Sequence, residues 1–330
     1  MSTPLRIVFL GSDAIARPLL AWLRTEGTEH ADVVAVFTQP DRAVGRGQKI
    51  QSNAIADWGH AFGLPVFQPE KLTEDVRQQL TALHADLALV MAYGHILRDD
   101  FIATPRLGTL NLHTSLLPKY RGASPIQSAI ACGERETGVS LMRIVRKLDA
   151  GPVADVERVP IAALDTALDV EAKLAAASVP LVARALPRLA RGELDFREPD
   201  GALVTHCRKL EKEDGMLDFA APAATLATRI NGLFPWPSCS VEVNSQPVKL
   251  GLADAAPGQC HLLGDTLPGQ VLGAEAAGLL VATGSGILRL RRLQRPGGKM
   301  LAGAEFLRGF PIAAGTRLAS RPMRELVAHG

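Results

Sequence analysis

The sequence predicts an α/β fold: a central, mostly parallel sheet covered by helices on both faces, followed by a small, mostly antiparallel β-barrel. Three observations predict it. Short apolar runs alternate with helical patterns through the first half of the chain, the signature of strands joined by crossover helices. From about residue 208 the texture changes to short runs punctuated by Gly and Pro (SCSVEV, PVKLGL, GQVLG, GLLVATG, GILRLRRL), which suits antiparallel strands. A length of 330 residues exceeds one typical domain and suits two.

In order, residues 6–10 (RIVFL), 33–37 (VVAVF), 64–67 (LPVF), 86–91 (DLALVM) and 109–113 (TLNLH) read as strands, with helices near 14–25, 53–62 and 73–83. Ser12 or Asp13 can cap the first helix. Residues 137–160 read as further strands around a loop, and the alanine-rich 165–190 as a long helix. The polar stretch GELDFREPD (192–200) makes a plausible linker. The division expected is 1–191 for a first domain, 192–207 for a linker, 208–320 for the β-barrel domain and 321–330 for a tail, with one helix near 221–232 before the strands. In parallel sheets ligands bind beyond the carboxyl ends of the strands, so chemistry is sought just after residues 10, 37, 91 and 113.

An apolar fraction of 47% and a charged fraction of 21% exclude an intrinsically disordered chain. The net charge of +2 implies no polyanionic partner by itself, although the first 207 residues carry 22 basic and 24 acidic side chains and the remainder 14 and 10. Four well-separated cysteines (Cys132, Cys207, Cys239, Cys260) without a CxxC pair argue against a disulfide framework or zinc ribbon and fit a reducing, cytoplasmic setting. Neither a signal-peptide pattern nor an apolar stretch of roughly 18 residues is present. The first turn, LGSDA, has one glycine where a dinucleotide fingerprint has three, and GRGQK (45–49) fails the P-loop spacing, so nicotinamide and kinase chemistry are not expected. HExxH is absent and the eight histidines show no ligand spacing, so no metal is expected.

The stretch 108–122 (GTLNLHTSLLPKYRG) is the most informative. Period-2 alternation puts Thr109, Asn111 and His113 on one face of the strand and Leu110 and Leu112 on the other. An amide and an imidazole at the carboxyl end of a central strand carry a burial cost unless they have partners or work to do. Asn offers a neutral donor to an oxyanion and His a proton near neutral pH, which is what acyl transfer to an amine needs. An isolated Asn-x-His is more often a satisfied core histidine beside a turn-former, so this pattern alone does not decide.

The run NLHTSLLPKYRG (111–122) resembles the signature of the folate-dependent formyltransferases, and LDAGP (148–152) resembles their second signature. TQPDR (38–42) with GRG (45–47), and FPWP (234–237), resemble the branch whose acceptor is methionine carried on initiator tRNA; the order of motifs agrees to about residue 318. The resemblance implies a Rossmann-like catalytic domain, an OB-like C-terminal barrel, 10-formyltetrahydrofolate as formyl donor and the α-amine of initiator methionyl-tRNA as acceptor. It implies that Asn111 donates to the oxygen of the tetrahedral intermediate, that His113 polarises the formyl carbonyl and supplies the proton leaving with the folate nitrogen, and that Asp149 orients His113, with a water, and helps to deprotonate the amine. Read alone, Asp149 is a solvated loop acid whose neighbours Arg146 and Lys147 can keep it ionised. Folate contact is implied for Ser115, Leu116, Leu117 and Pro118, and for Met91, Ala92 and Tyr93 at the end of the fourth strand; for Tyr93 plain packing is an equal reading.

Residues 39–51 form a basic, glycine-bearing loop in which Arg42, Arg46 and Lys49 are implied tRNA contacts. The loop departs from the family pattern: Ala43-Val44 stands where a proline is usual, and Ser52-Asn53-Ala54 replaces a proline-bearing turn, so a less rigid loop is expected. In the second domain Arg289 and Arg291 share one strand face, extended by Arg292, Arg295 and Lys299. Small barrels bind nucleic acid on such faces by holding phosphates, and a solvated strand face is the plain alternative. Two rivals stand beside this reading. One is a sibling formyltransferase acting on glycinamide ribonucleotide or an amino sugar, against which the basic barrel and the 39–51 loop argue. The other is a tRNA binder without catalysis, against which Asn111, His113 and Asp149 argue. Nothing in the sequence demands more than a monomer.

Overall fold

Residues 3–44, 47–257 and 266–329 are described by a computed structural model. The strands are β1 (Leu5–Gly11), β2 (Ala31–Phe37), β3 (Arg42–Val44), β4 (Lys49–Gln51), β5 (Val66–Phe67), β6 (Leu87–Met91), β7 (Thr109–His113), β8 (Arg121–Gly122), β9 (Glu136–Arg143), β10 (Val153–Pro160), β11 (Thr205–Cys207), β12 (Cys239–Val243), β13 (Gln246–Ala256), β14 (Val271–Glu275), β15 (Gly278–Ala282), β16 (Ile287–Gln294), β17 (Leu301–Ala302) and β18 (Val327–His329). The helices are α1 (Arg17–Leu23), α2 (Ala54–Ala61), α3 (Glu74–Ala82), α4 (Asp99–Ile102), α5 (Pro125–Ala131), α6 (Ala167–Ala190), α7 (Ala223–Leu233) and α8 (Gly303–Gly309). The five strands expected in the first half appear as β1, β2, β5, β6 and β7. The first expected helix begins as a 3-10 turn, Ala14–Ala16, capped by the Asp13 carboxylate on the Ile15 N–H, before Pro18 enters the first turn of α1.

Two compact units emerge. The first comprises the residues up to Arg121 with Gly138–Val159 and Glu171–Val204. Its sheet runs β10-β9-β7-β6-β1-β2-β5. The pairs β1–β2, β1–β6, β6–β7 and β2–β5 are parallel, and β9 joins β7 antiparallel. Ile7, Val8, Phe9 and Leu10 are fully buried, because helices cover both faces of a parallel sheet and leave no wet side. Phe37 stacks on Phe67 at 4.6 Å and meets Phe101 edge-on at 6.2 Å, closing one core face. Strand order reverses at β1, with β2 on one side and β6 on the other, so the crevice beyond the ends of β1 and β6 is the switch point where such sheets take ligands.

The second unit comprises Gly122–Thr137, Pro160–Val170 and the residues from Thr205 on. These units draw on the chain differently from a 1–191, 192–207, 208–320 division, and the reason is local packing. Helix α5 lies so close against α7 that a Cβ on Gly232 would sit 2.6 Å from the Ala131 nitrogen, and the Thr228 hydroxyl donates to the Ala131 carbonyl at 3.3 Å. Strand β11, in the stretch read as linker, pairs antiparallel with β18, in the stretch read as tail. The main sheet of this unit is antiparallel, in the order β12-β13-β16-β15-β14 with β17 on β16, around a core that includes Phe219, Leu226, Ile230, Leu250 and Leu290. No helix among the described residues is long and apolar enough to cross a membrane.

Candidate active site

Strand β7 ends on the side chains that alternation predicts, and they differ in what they touch. The Thr109 hydroxyl is buried and donates to the Ile102 carbonyl at 2.8 Å, which makes it structural. Asn111, half-buried and flanked in register by Val90 of β6 and Met142 of β9, makes no side-chain hydrogen bond among the described residues. His113 is buried, and its Nε2 lies 2.9 Å from the Tyr120 carbonyl oxygen. A carbonyl only accepts, so Nε2 carries a hydrogen and donates it there. That leaves Nδ1, which lies 3.7 Å from Oδ1 of Asp149. This is too long for a direct hydrogen bond, and both side chains are about nine-tenths buried.

Both partners of His113 occupy the left-handed backbone region, Tyr120 at φ 58° and Asp149 at φ 48°. Such geometry costs a non-glycine residue roughly 1–3 kcal/mol and concentrates at functional sites. Asp149 belongs to a loop whose stem is closed by the Arg143 N–H donating to the Pro152 carbonyl at 3.0 Å. Gly151 seats that stem: a Cβ there would lie 2.1 Å from the Arg143 carbonyl oxygen. The sequence therefore places Asn111, His113 and Asp149 on one sheet end, and the structure brings the last two into contact distance.

The turn after β7 is held from inside. The Ser115 hydroxyl donates to the Lys119 carbonyl at 2.7 Å. Ser140, opposite His113 on β9, donates to the Ser115 carbonyl at 2.7 Å and accepts from the Leu117 N–H at 3.1 Å. Leu116, Leu117 and Pro118 are half-buried, with a cis bond before Pro118. Ser115 thus shapes the turn with its hydroxyl, while the apolar wall comes from the three residues after it. Leu116 fills space that only Gly138 leaves, because a Cβ at 138 would meet Leu116 at 2.5 Å.

At the end of β6, Met91 is buried, Ala92 is exposed at φ 52° and the Tyr93 ring packs into the core. Burial pushes the Tyr93 phenol well above its ordinary range. The hydroxyl of Tyr93 and Nε2 of His95 are buried without a hydrogen-bond partner among the described residues, and their rings meet at 5.0 Å. Sequence reasoning missed the polar lattice that joins the strand ends here. Ser12 accepts from the Gln39 N–H at 3.0 Å and donates to the Tyr93 carbonyl at 3.2 Å. Asn53 caps α2 through Ile55 and Ala56, accepts from Thr38 at 2.8 Å and donates to the Gln39 carbonyl at 2.8 Å. Asn53 stands in the turn that lacks the family's proline, and its side chain fixes that turn. The legible signal was an Asn one residue before a helix.

Strands β3 and β4 pair antiparallel, with Arg42 opposite Gln51 and Val44 opposite Lys49. Arg42 is exposed and makes a bidentate pair with Glu70 at 3.0 and 2.7 Å. Lys49 is exposed without an ion pair among the described residues, and Arg46 lies outside them. No group of three or more His, Cys, Asp or Glu able to hold a metal ion occurs among the described residues.

In the second unit Arg289 and Arg291 point to one face of β16, as alternation predicts, but both close on Asp254 of the neighbouring strand. Arg289 also pairs with Glu275 at 2.6 Å. Their charge is locally cancelled, a correction to the open basic face expected; Asp254 escaped notice because it faces Arg289 only through the β13–β16 register. A bulge at Arg291 breaks the alternation, so that Arg292 is exposed and Leu293 is buried. Arg292 and Lys299 are exposed and carry no ion pair among the described residues.

Two family models match: formyl transferase over residues 5–186, and the formyl transferase C-terminal domain over 209–311. The methionyl-tRNA formyltransferase of Pseudomonas fluorescens (strain SBW25) is 41% identical over 302 residues, covering 91% of this chain and 92% of that relative. That of Gluconobacter oxydans (strain 621H) is 39% identical over 316 residues, covering 95% and 100%. Among solved structures, the sugar 3N-formyl transferase WlaRD, with dTDP and 5-N-formyl-THF, superposes with a TM-score of 0.61 at 16% identity over 88% of this chain and 98% of that one. HypX from Aquifex aeolicus, in complex with tetrahydrofolic acid, does so with a TM-score of 0.61 at 18% identity over 97% of this chain and 51% of that one. The solved structures share the fold, and the matches in sequence fix the kinship: this chain belongs to the formyl transferase family.

Proposed function

We propose that this chain transfers the formyl group of 10-formyltetrahydrofolate to the α-amine of methionine on initiator methionyl-tRNA, giving formylmethionyl-tRNA for translation initiation. The observation that carries the reading is the approach of His113 to Asp149 at the end of the strand that also bears the unbonded amide of Asn111. Relatives about 40% identical along nearly the whole chain, named methionyl-tRNA formyltransferase, support the choice of acceptor.

The folate donor supplies the one-carbon unit at the formyl oxidation level. We assign its pocket to Met91, Ala92 and Tyr93 and to the 115–118 turn. The exposed Ala92 and the two orphaned polar atoms of Tyr93 and His95 suit a ligand with hydrogen-bonding ring edges, and the stiff apolar turn suits its flat face. Asn111 donates an N–H to the carbonyl oxygen where negative charge grows. His113 holds its Nε2 hydrogen on Tyr120, so proton transfer to the departing nitrogen falls to Nδ1. Asp149 stabilises the imidazolium and helps to take the proton from the amine. All three residues lie in the first unit, so a monomer suffices. Arg42 and Lys49 on β3 and β4, Arg46 between them in sequence, and Arg292 and Lys299 on the second unit, are the candidate phosphate contacts; Arg289 and Arg291 shape the strand through Asp254. With tRNA as substrate, the reaction belongs in the cytoplasm.

The test is incubation with 10-formyltetrahydrofolate and charged initiator tRNA, followed by mass detection of N-formylmethionine. Formylation of an amino-sugar nucleotide or of glycinamide ribonucleotide without formylation of the tRNA overturns the acceptor assignment. A tRNA mobility shift without transfer overturns the enzyme.

A further inference from the structure

We propose that Arg143 is a positioning residue that ties the segment after the catalytic sheet, through Phe196, to the loop that carries Asp149. Arg143 ends β9 and faces four ways. Its N–H donates to the Pro152 carbonyl at 3.0 Å, and its carbonyl oxygen abuts Gly151, so its main chain forms the stem of the Asp149 loop. Its Nη1 donates to the Leu107 carbonyl at 3.3 Å, just before the strand that bears Asn111 and His113. Its guanidinium carbon lies 4.0 Å from the centre of the Phe196 ring, a cation–π contact. Phe196 is the aromatic residue of an otherwise polar stretch, and Arg197 beside it exchanges both backbone hydrogen bonds with Val153, at 2.8 and 2.9 Å.

One residue thus spans the start of β7 and the segment that follows α6 with its side chain, and the stem of the Asp149 loop with its main chain. The tip of that loop, 145–148, is exposed, and its stem bears on the position of Asp149. At 3.7 Å from Nδ1, Asp149 acts by charge at a distance that a small displacement lengthens. Removing the ring takes away one wall of the guanidinium site and leaves the backbone pairing of 153 with 197 as the remaining tie.

The inference rests on the proposed function for its kinetic arm and on the coordinates alone for its structural arm. In the full-length chain, Phe196→Ala is expected to lower kcat about tenfold, a misplacement effect, with KM for folate and tRNA within about twofold. Phe196→Trp restores kcat, since any aromatic face serves the guanidinium. Arg143→Ala, which also loses the Leu107 hydrogen bond, lowers kcat at least as much as Phe196→Ala, and the double variant is no worse than Arg143→Ala alone, because the cation–π contact is already gone there. Amide hydrogen exchange in 144–152 accelerates in Phe196→Ala while β1 and β6 keep their protection. Unchanged kcat and exchange, additive losses in the double variant, or loosening of β1 and β6 alongside the loop overturns the proposal. Should the parent chain fail to formylate tRNA, the functional reading falls, and the exchange pattern still decides whether the clamp holds the loop.

Discussion

Nδ1 of His113 and Oδ1 of Asp149 stand 3.7 Å apart, with both side chains about nine-tenths buried. The imidazole is anchored at its other nitrogen, and in the proposed mechanism Asp149 would act on the imidazolium by charge instead of by a direct hydrogen bond. Asp149→Asn keeps the shape and tolerates the left-handed backbone, but removes the charge. It is expected to lower kcat by roughly 10²–10⁴-fold, the usual weight of acid–base assistance, with the tRNA Kd held within about twofold. Single-turnover formylation and filter binding on one preparation check this. Retained kcat removes Asp149 from the chemistry.

His113→Ala is expected to abolish turnover while leaving tRNA binding nearly intact, measured by the same pair of assays. Joint loss of both makes the histidine structural, a fair rival reading for a buried ring hydrogen-bonded to Tyr120.

Asn111 and Thr109 share a strand face, yet of the two side chains only that of the threonine has a hydrogen-bond partner among the described residues. Asn111→Ala is expected to lower kcat about 10²–10³-fold, as for an oxyanion donor, without shifting the thermal midpoint. Thr109→Val is expected to do the reverse, costing about 1–3 kcal/mol by leaving the Ile102 carbonyl unsatisfied while kcat holds. Calorimetry and initial rates on the two variants separate the roles; a stability loss in Asn111→Ala with intact rate sinks the assignment.

That contrast marks how far the sequence could be read. Period-2 alternation found the face of β7, and the apolar runs found β1, β2, β6 and β7, because a sheet buried on both sides must be apolar nearly throughout. The motif that carries Asp149 was legible only by resemblance. A loop acid has no periodicity, and its approach to His113 depends on the Arg143–Gly151 stem closing across the strand ends. The Ser12–Thr38–Asn53 lattice and the Asp254–Arg289 pair join residues 15 to 35 positions apart, contacts that the fold creates and local pattern cannot show. The grouping of α5 with α7 follows from the missing side chain of Gly232, which in the sequence reads only as a weak helix position.

Arg42 meets Glu70 in an exposed bidentate pair, so the glutamate competes with any phosphate for the same guanidinium fork. Glu70→Gln is expected to tighten tRNA binding modestly, about two- to fivefold, because an exposed pair of this kind is worth about 0.2–1 kcal/mol. Arg42→Ala is expected to weaken binding and to flatten the dependence of log K on log salt by about one unit, the share of one phosphate. Titrations at several salt concentrations decide it; an unchanged slope in Arg42→Ala takes the residue out of the tRNA contact.

Asp254 supplies a prediction for the second unit that is independent of catalysis. Burial alone would raise its carboxyl, but the hydrogen bonds from Arg289 and Arg291 outweigh it and hold it down to about 2, against an ordinary 3.8. A carboxyl depressed in the folded state stabilises fully above the unfolded value and loses that contribution as pH falls through the folded one. The pair of values corresponds to stabilisation on the order of 2 kcal/mol, present above about pH 4 and lost toward pH 2. The gap in unfolding free energy between the parent chain and Asp254→Asn should therefore be constant from pH 5 to neutrality and narrow between pH 4 and 2, as followed by urea titration at each pH. A gap that is flat down to pH 2 means that the carboxylate is not what the two arginines hold, and returns Arg289 and Arg291 to the free basic face that the alternation of β16 suggests.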